Sequence, residues 1–212
     1  TDFALDAEPV EQSYSFDPKL VRWVRLVLKS NHGGPLFELG EVKLIGRYAD
    51  EGPTDVALVN VLAAQNGGKV VSFSRQYNDS SWAARNLIDG KLGQGHGFAM
   101  AGAEPGEVNF ALPTEATIAY VAFNPFTTES PNTWVKDVEV LVSSEGTEGE
   151  FTSVGRFTVH NWRHIDAASK PLPDQRFAIE PVKARFIKLR LLSNHGGDYI
   201  ELGEFKAYQG SQ

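Results

Sequence analysis

The chain has 212 residues, 42% hydrophobic and 11% aromatic, enough to bury a sizeable core in one large or two small domains. A formal net charge of -7 repels polyanions and speaks against nonspecific nucleic-acid binding, and there is no cysteine, so disulfides, thiolate metal sites and thiol nucleophiles are excluded together. No run of 18 apolar residues occurs, so no membrane-spanning helix is expected.

In chain order, the first feature is a segment that returns later. Val21 to Gly46 reads VRWVRLVLKSNHGGPLFELGEVKLIG, and Ala184 to Gln209 reads ARFIKLRLLSNHGGDYIELGEFKAYQ, with 13 of 26 positions identical and no gap. The copies start 163 residues apart, which is beyond solenoid periods and close to the size of a whole domain. The sequence therefore predicts a tandem array: residues 1–49 hold the closing strand pair of an incomplete preceding repeat, 50–55 form a linker within ADEGPTD, and 56–212 form a complete domain.

Within that domain, apolar residues alternate over Val70–Phe73, Glu107–Leu112, Ile118–Phe123, Val135–Val142, Phe151–Val159, Phe186–Leu192 and Leu202–Tyr208. Period-two alternation of Val, Ile, Phe and Tyr predicts half-buried strands, and the Gly, Pro, Asn and Asp clusters between them predict turns. Only Ser81–Ile88 (SWAARNLI) reads as a helical turn or two, after the possible N-caps Asn78, Asp79 and Ser80. About eight strands without βαβ alternation predict an all-β, antiparallel jelly-roll sandwich, with an extra N-terminal pair of strands. Such a pair, cut off from its own sheet, needs to pack on the complete domain or on another protein, a second copy of the chain included.

Three stretches carry a family resemblance: SWAARNLIDG (81–90), VKDVEVLVSSEG (135–146) and ARFIKLRLLSNHGGDYIELGEFKAY (184–208). In this order they resemble the discoidin or coagulation factor 5/8 type C family, a galactose-binding-like β-sandwich that includes many bacterial carbohydrate-binding modules. The resemblance covers about Asn60 to Tyr208, and residues 14–48 look like the last two strands of a preceding copy.

The resemblance implies a Ca2+ site in which the Asp-Gly after the short helix and a glutamate of the last strand act with main-chain carbonyls. The matching positions are Asp89 and Glu204, with carbonyls near Asn86, Lys91 and Gln94. Read from chemistry alone, Asp89 instead caps a tight turn through Gly90, and Glu204 accepts hydrogen bonds across the sheet. The resemblance also implies a glycan surface on loops. Its candidates are His96 and Phe98 in GHGFA, Trp134 beside Asn132, and Trp162, Arg163 and His164 in HNWRH, with Asn194 and His195 in the repeated SNHGG loop. Each has a structural counterpart reading: the tryptophans cover the end of the core, and SNHGG is a turn that any copy needs. His160 and His164 have a spacing seen at zinc sites, but on a strand or loop it does not converge two rings.

No G-x-S-x-G, HExxH or phosphate loop is present, and a triad or facing carboxylate pair is not legible, so no catalysis is expected. Two functions remain. One is a noncatalytic module attaching a larger extracellular or cell-envelope protein to glycan or another surface polymer. The other is a structural or protein-interaction domain in a tandem array with no sugar site.

Overall fold

In a computed structural model, residues 3–7, 12, 14, 24–40, 42, 44, 58–93, 95–127, 130–161 and 174–210 are described. The chain divides into two units, Thr1–Asp55 and Val56–Gln212.

In the second unit the alternating runs become strands because each finds a partner that closes its backbone hydrogen bonds and a facing layer that buries one side. The strands are β1 (Lys69–Phe73), β2 (Phe98–Ala101), β3 (Gly106–Asn124), β4 (Asp137–Ser143), β5 (Thr152–Thr158), β6 (Gln175–Leu191), β7 (Tyr199–Leu202) and β8 (Glu204–Gln209). Six form one sheet in the order β1-β3-β6-β4-β5, with β8 also on β3, and β2 pairs with β7 in a second sheet. All these pairings are antiparallel. The result is the expected antiparallel β-sandwich, in which the sequence runs 107–112 and 118–123 belong to one long strand. That strand is irregular where Ala111 and Ala116 meet Phe186 and Ala184, and again between Ile118 and Tyr120. Such irregularities bend a strand, so the first half of β3 pairs with β1 and its second half with β8.

The run expected as one strand over Leu202–Tyr208 is broken at Gly203, with β7 in the small sheet and β8 in the large one. Gly203 permits the crossing because its backbone lies against loop carbonyls: a Cβ there would stand 2.5 Å from Phe126 O and 2.9 Å from Asn124 O. Its amide donates to Asn124 O at 2.9 Å.

The core lies between the sheets. Phe98 and Met100 of β2 and Ile200 and Leu202 of β7 are fully buried, as are Val108, Phe110 and Phe123 of β3 and Ile187, Leu189 and Leu191 of β6. Phe123 stacks on Phe205 at 5.3 Å, and Phe157 and Phe177 close against it at 6.0 and 5.8 Å. Each such side chain contributes about 1.5–3 kcal/mol on burial. The alternate residues of β6 face outward, where Lys188 and Arg190 each lie 3.5 Å from Glu107.

Two local expectations change. The helical stretch is a 3-10 helix over Ala84–Ile88 with no side-chain cap. Asn78 Oδ1 instead accepts from Ser80 N and Trp82 N at 3.0 and 3.1 Å, spending the expected cap on the preceding turn. A second 3-10 helix, Ala64–Asn66, was not expected.

In the first unit the extra pair of strands is not formed among the described residues: 24–40, 42 and 44 hold no strand. A strand ladder needs a neighbouring strand, and an apolar face needs a layer to bury it; there Leu26, Leu28, Leu36 and Phe37 are 57%, 50%, 67% and 53% exposed. The repeated turn is nevertheless formed in both units. Asn31 Nδ2 donates to Gly34 O and Leu36 O at 2.6 and 2.8 Å, and Asn194 Nδ2 donates to Gly197 O and Tyr199 O at 2.6 Å each. Gly33 and Gly196 follow at φ +97° and +106°, each donating its amide to the asparagine Oδ1.

Candidate functional site

The loops of the second unit are tied into one surface by main-chain and side-chain hydrogen bonds. Gly97 N reaches Ser81 O, Gly93 N reaches Phe126 O, and Gly197 N reaches Asn132 O. Asn161 Nδ2 reaches Pro131 O, and His195 Nε2 lies 2.9 Å from Val159 O. Loops distant in sequence therefore converge, and the exposed groups they present can act on one ligand.

The sequence-predicted residues divide into three groups. Phe98 and Trp134 are 0% and 2% exposed, so neither offers a ring face. Phe98 is a core residue of β2, and Trp134 packs edge-on against Phe126 at 6.2 Å, held where Val135 N bonds Glu201 O. The expectation that they contact sugar is corrected by the two-layer packing: both lie where the small sheet meets its loops. Asn194 and His195 are half-buried. The Asn194 amide is spent inside its turn, and His195 ties that turn to the end of β5; burial outweighs the Val159 bond and pulls its pKa below the ordinary histidine value. His96 is exposed, as are Asn132 and His160. Trp162, Arg163 and His164 lie outside the described residues, and with them half of the His160–His164 pair.

One residue was missed by the sequence reading. Tyr77 is 54% exposed, and its ring stands edge-on to Tyr199 of β7 at 5.6 Å and 82°. Its amide donates to Ala99 O at 2.8 Å, so the aromatic is fixed to β2 rather than carried on a free loop. An exposed, braced ring is the kind of face on which a sugar's C–H groups pack. The only sequence signal was its isolation: a lone Tyr in SRQYNDS, between a strand and a turn.

The residues expected at a Ca2+ site do meet. Asp89 and Glu204 line a cleft of about 190 Å³ together with Asn60, Gln65 and Tyr208. Glu204 is 1% exposed, its Oε1 accepts from Gly90 N at 2.6 Å, and burial pushes its pKa up to about 8, assisted by the adjacent Asp89 carboxyl. Lys206, which also lines the cleft and whose charge partly offsets the effect of burial on Glu204, has its Nζ 2.6 Å from Asp174 Oδ2. Lys91 contributes its amide, which donates to Asp89 Oδ1 at 2.9 Å. The Asn86 side chain holds the loop, its Nδ2 donating to Ser80 O, Ser81 O and Gly97 O at 3.0 Å each. Glu204 is buried and Asp89 half-buried, and two carboxylates meeting in one cleft are the oxygen donors a hard cation takes. Glu204 also differs from the expectation in one respect: it bonds the loop amide, not the sheet.

Two other acidic positions are structural. Thr127 Oγ1 donates to Glu201 Oε2 at 2.6 Å, and Glu139 is clamped by Arg156 and Arg190 at 3.4 Å each. No group of three or more His, Cys, Asp or Glu placed to hold a metal occurs among the described residues. No helix among them is long and apolar enough to cross a membrane.

Several solved structures share this architecture. An F5/8 type C domain from Bacteroides fragilis is 20% identical with a TM-score of 0.60, covering 76% of this chain and 100% of that one. A Clostridium perfringens module, CpGH89CBM32-5, solved in complex with GalNAc-β-1,3-galactose, is 16% identical with a TM-score of 0.57 over 72% of this chain and 99% of that one. The family 32 carbohydrate-binding module of C. perfringens NanJ, solved with galactose, is 17% identical with a TM-score of 0.53, covering 68% and 96%. No curated protein matches the chain. The family model of the F5/8 type C domain matches residues 70–205, well over half of the sequence, and the chain belongs to that family.

Proposed function

We propose that the second unit is a noncatalytic glycan-binding module, working at a cell surface or in the extracellular space as part of a larger protein. The observation that carries this reading is the braced, exposed ring of Tyr77; His96, Asn132 and His160 are further exposed polar side chains on loops of the same unit. An aromatic face with hydrogen-bonding groups around it is the chemistry a sugar demands: the ring takes the apolar C–H face, and the imidazoles and amide take hydroxyls. The fold supports the reading, since modules of this architecture have been solved with galactose and with GalNAc-β-1,3-galactose. Trp162, Arg163 and His164, in the sequence between β5 and β6, stay candidates on their chemistry alone.

A Ca2+ ion is part of the proposal. Asp89 and Glu204 would hold it, with main-chain carbonyls of the 86–94 loop completing the oxygens, and it would supply positive charge that steadies the cleft. The support is the meeting of the buried Glu204 carboxyl with Asp89 in one cleft.

The test is a glycan array on the intact chain with and without EDTA, repeated on Tyr77→Ala and Trp162→Ala. Binding to a defined sugar class that falls in either variant supports the module; an array with no signal from the folded chain refutes it and favours a protein-interaction role.

A further inference from the structure

The outer face of the large sheet carries positive charge that the protein does not neutralise. On β6 the core residues Ile187, Leu189 and Leu191 alternate with Phe186, Lys188 and Arg190, which stand on the opposite side. Cross-strand pairing extends that side over the sheet. Lys69 of β1 lies opposite Ala111 of β3, Ala111 opposite Phe186, and Phe186 opposite Ser143 of β4. Two residues further along β6, Lys188 lies opposite Asn109, and beyond it Arg190 lies between Glu107 and Glu139, with Arg156 of β5 next to Glu139.

The two acids of this face are fully engaged. Glu107 meets Lys188 and Arg190 at 3.5 Å each, and Glu139 meets Arg156 and Arg190 at 3.4 Å each. Lys69 and Arg185 differ, since no acid pairs with either among the described residues. The Arg185 guanidinium lies over the outward Phe186 ring, 5.7 Å from its centroid, and its buried Nη1 has no hydrogen-bond partner. Five cations, Lys69, Arg156, Arg185, Lys188 and Arg190, therefore share the face with two acids, on a chain whose net charge is -7.

The shape between the two unpaired cations is shallow. Adjacent strands lie about 4.8 Å apart, so Lys69 and Phe186 are rooted about 10 Å from each other with only the Ala111 methyl between them. Lys69 is exposed, and Phe186 and Ala111 are half-buried. An aromatic ring beside a methyl floor, flanked by unpaired cations, suits a ring-shaped ligand with C–H groups on one side and an anionic group at its rim.

We propose that this face is a binding surface for an acidic polysaccharide: Phe186 and Ala111 pack on a sugar's C–H groups, while Arg185 and Lys69 take its carboxylate or sulfate. The guanidinium offers such a group two parallel N–H donors and the ammonium a point charge. The net charge of the chain opposes the polymer at a distance, but at contact, inside a Debye length of about 8 Å at physiological salt, the local excess decides. A nucleic acid, with a phosphate on every nucleotide, meets the same long-range repulsion more strongly and finds only two free cations. The surface is separate from the Tyr77 ring, which is fixed to β2 in the other sheet, so it does not rest on the reading of the loops.

The test is titration of the intact chain with polygalacturonate, with its methyl ester and with heparin, at low salt and at about 0.15 M. The expected result is binding of polygalacturonate or heparin at low salt that weakens at the higher salt, with the ester bound roughly tenfold more weakly than the acid or not at all. Polygalacturonate names a carboxylate as the group recognised, and heparin alone names a sulfate. Lys69→Glu and Arg185→Gln each lower the affinity roughly tenfold at unchanged Tm, and Tyr77→Ala leaves it as it was. Lys69 is at an exposed position, so Lys69→Glu decides the matter should Arg185→Gln fail to fold. Full affinity in Lys69→Glu, equal binding of acid and ester, or no binding of either polyanion by the folded chain overturns the proposal. Loss of binding in Tyr77→Ala alone overturns it as well and moves the polymer to the loops.

Discussion

Replacing Glu204 by Gln isolates the electrostatic cost of the cleft. The folded-state pKa of Glu204 is raised from 4.5 to about 8, so the folded state holds a proton that the unfolded chain releases. Stability from this group is therefore greatest below the unfolded value and is lost as pH rises toward the folded one, at about 1.4 kcal/mol per pH unit. Between pH 5 and 7.5 the loss is about 3 kcal/mol, or roughly 6–12 °C in Tm for a unit of this size. Gln keeps the shape and the acceptor for Gly90 N but cannot ionise, so Glu204→Gln has no such loss.

The assay is thermal unfolding against pH in EDTA for both proteins. The difference between them is the quantity to read, because His195 acts in the opposite sense: its lowered pKa favours the neutral ring in the fold and adds stability as pH rises through 6.5, equally in both chains. At the proposed site Ca2+ would bind the ionised carboxylate, so at pH 7.5 a concentration 100 times Kd is expected to restore about 2.7 kcal/mol to the native chain and little to the variant. Parallel Tm curves for the two proteins from pH 5 to 7.5 would refute the argument that a buried carboxyl with a raised pKa sits there.

Gly203→Ala forces a Cβ onto Phe126 O and Asn124 O and is expected to cost about 1–3 kcal/mol, read as a lower urea midpoint. Asn194→Ala leaves Gly197 O, Tyr199 O and the Gly196 amide without their partner and costs about 2 kcal/mol, with the m-value unchanged. Tyr77→Ala lowers affinity for the array-identified glycan about tenfold, equivalent to about 1.4 kcal/mol, and leaves Tm within a degree or so because the ring is half out of the fold already. Full affinity in that variant by titration calorimetry would remove Tyr77 from the site.

The candidate site was legible only where it is built from local chemistry. Asn194 and its glycines could be read as a turn because the asparagine bonds groups only two to five residues away. Asp89 and Glu204 were paired by resemblance; nothing in the residues between them fixes that meeting, since Gly90 and Glu204 are 114 positions apart. Phe98 and Trp134 looked like ligand aromatics because an aromatic beside a loop has the same letters whether its ring turns inward or outward. Tyr77 was overlooked for the same reason, in reverse.

The strands of the second unit followed from period two and its turns from Gly, Pro, Asn and Asp, because backbone preference and the need for one apolar face act over a few residues. The repeat likewise fixed the relation between 21–46 and 184–209 without coordinates. What the tertiary structure alone decided was where those faces point and what they meet: the break of one run at Gly203, the burial of Glu204, the bracing of Tyr77, and a repeated segment that forms strands in one unit but none among the described residues of the other. Each depends on a partner surface brought from far along the chain, and alternation within a segment carries no information about that partner.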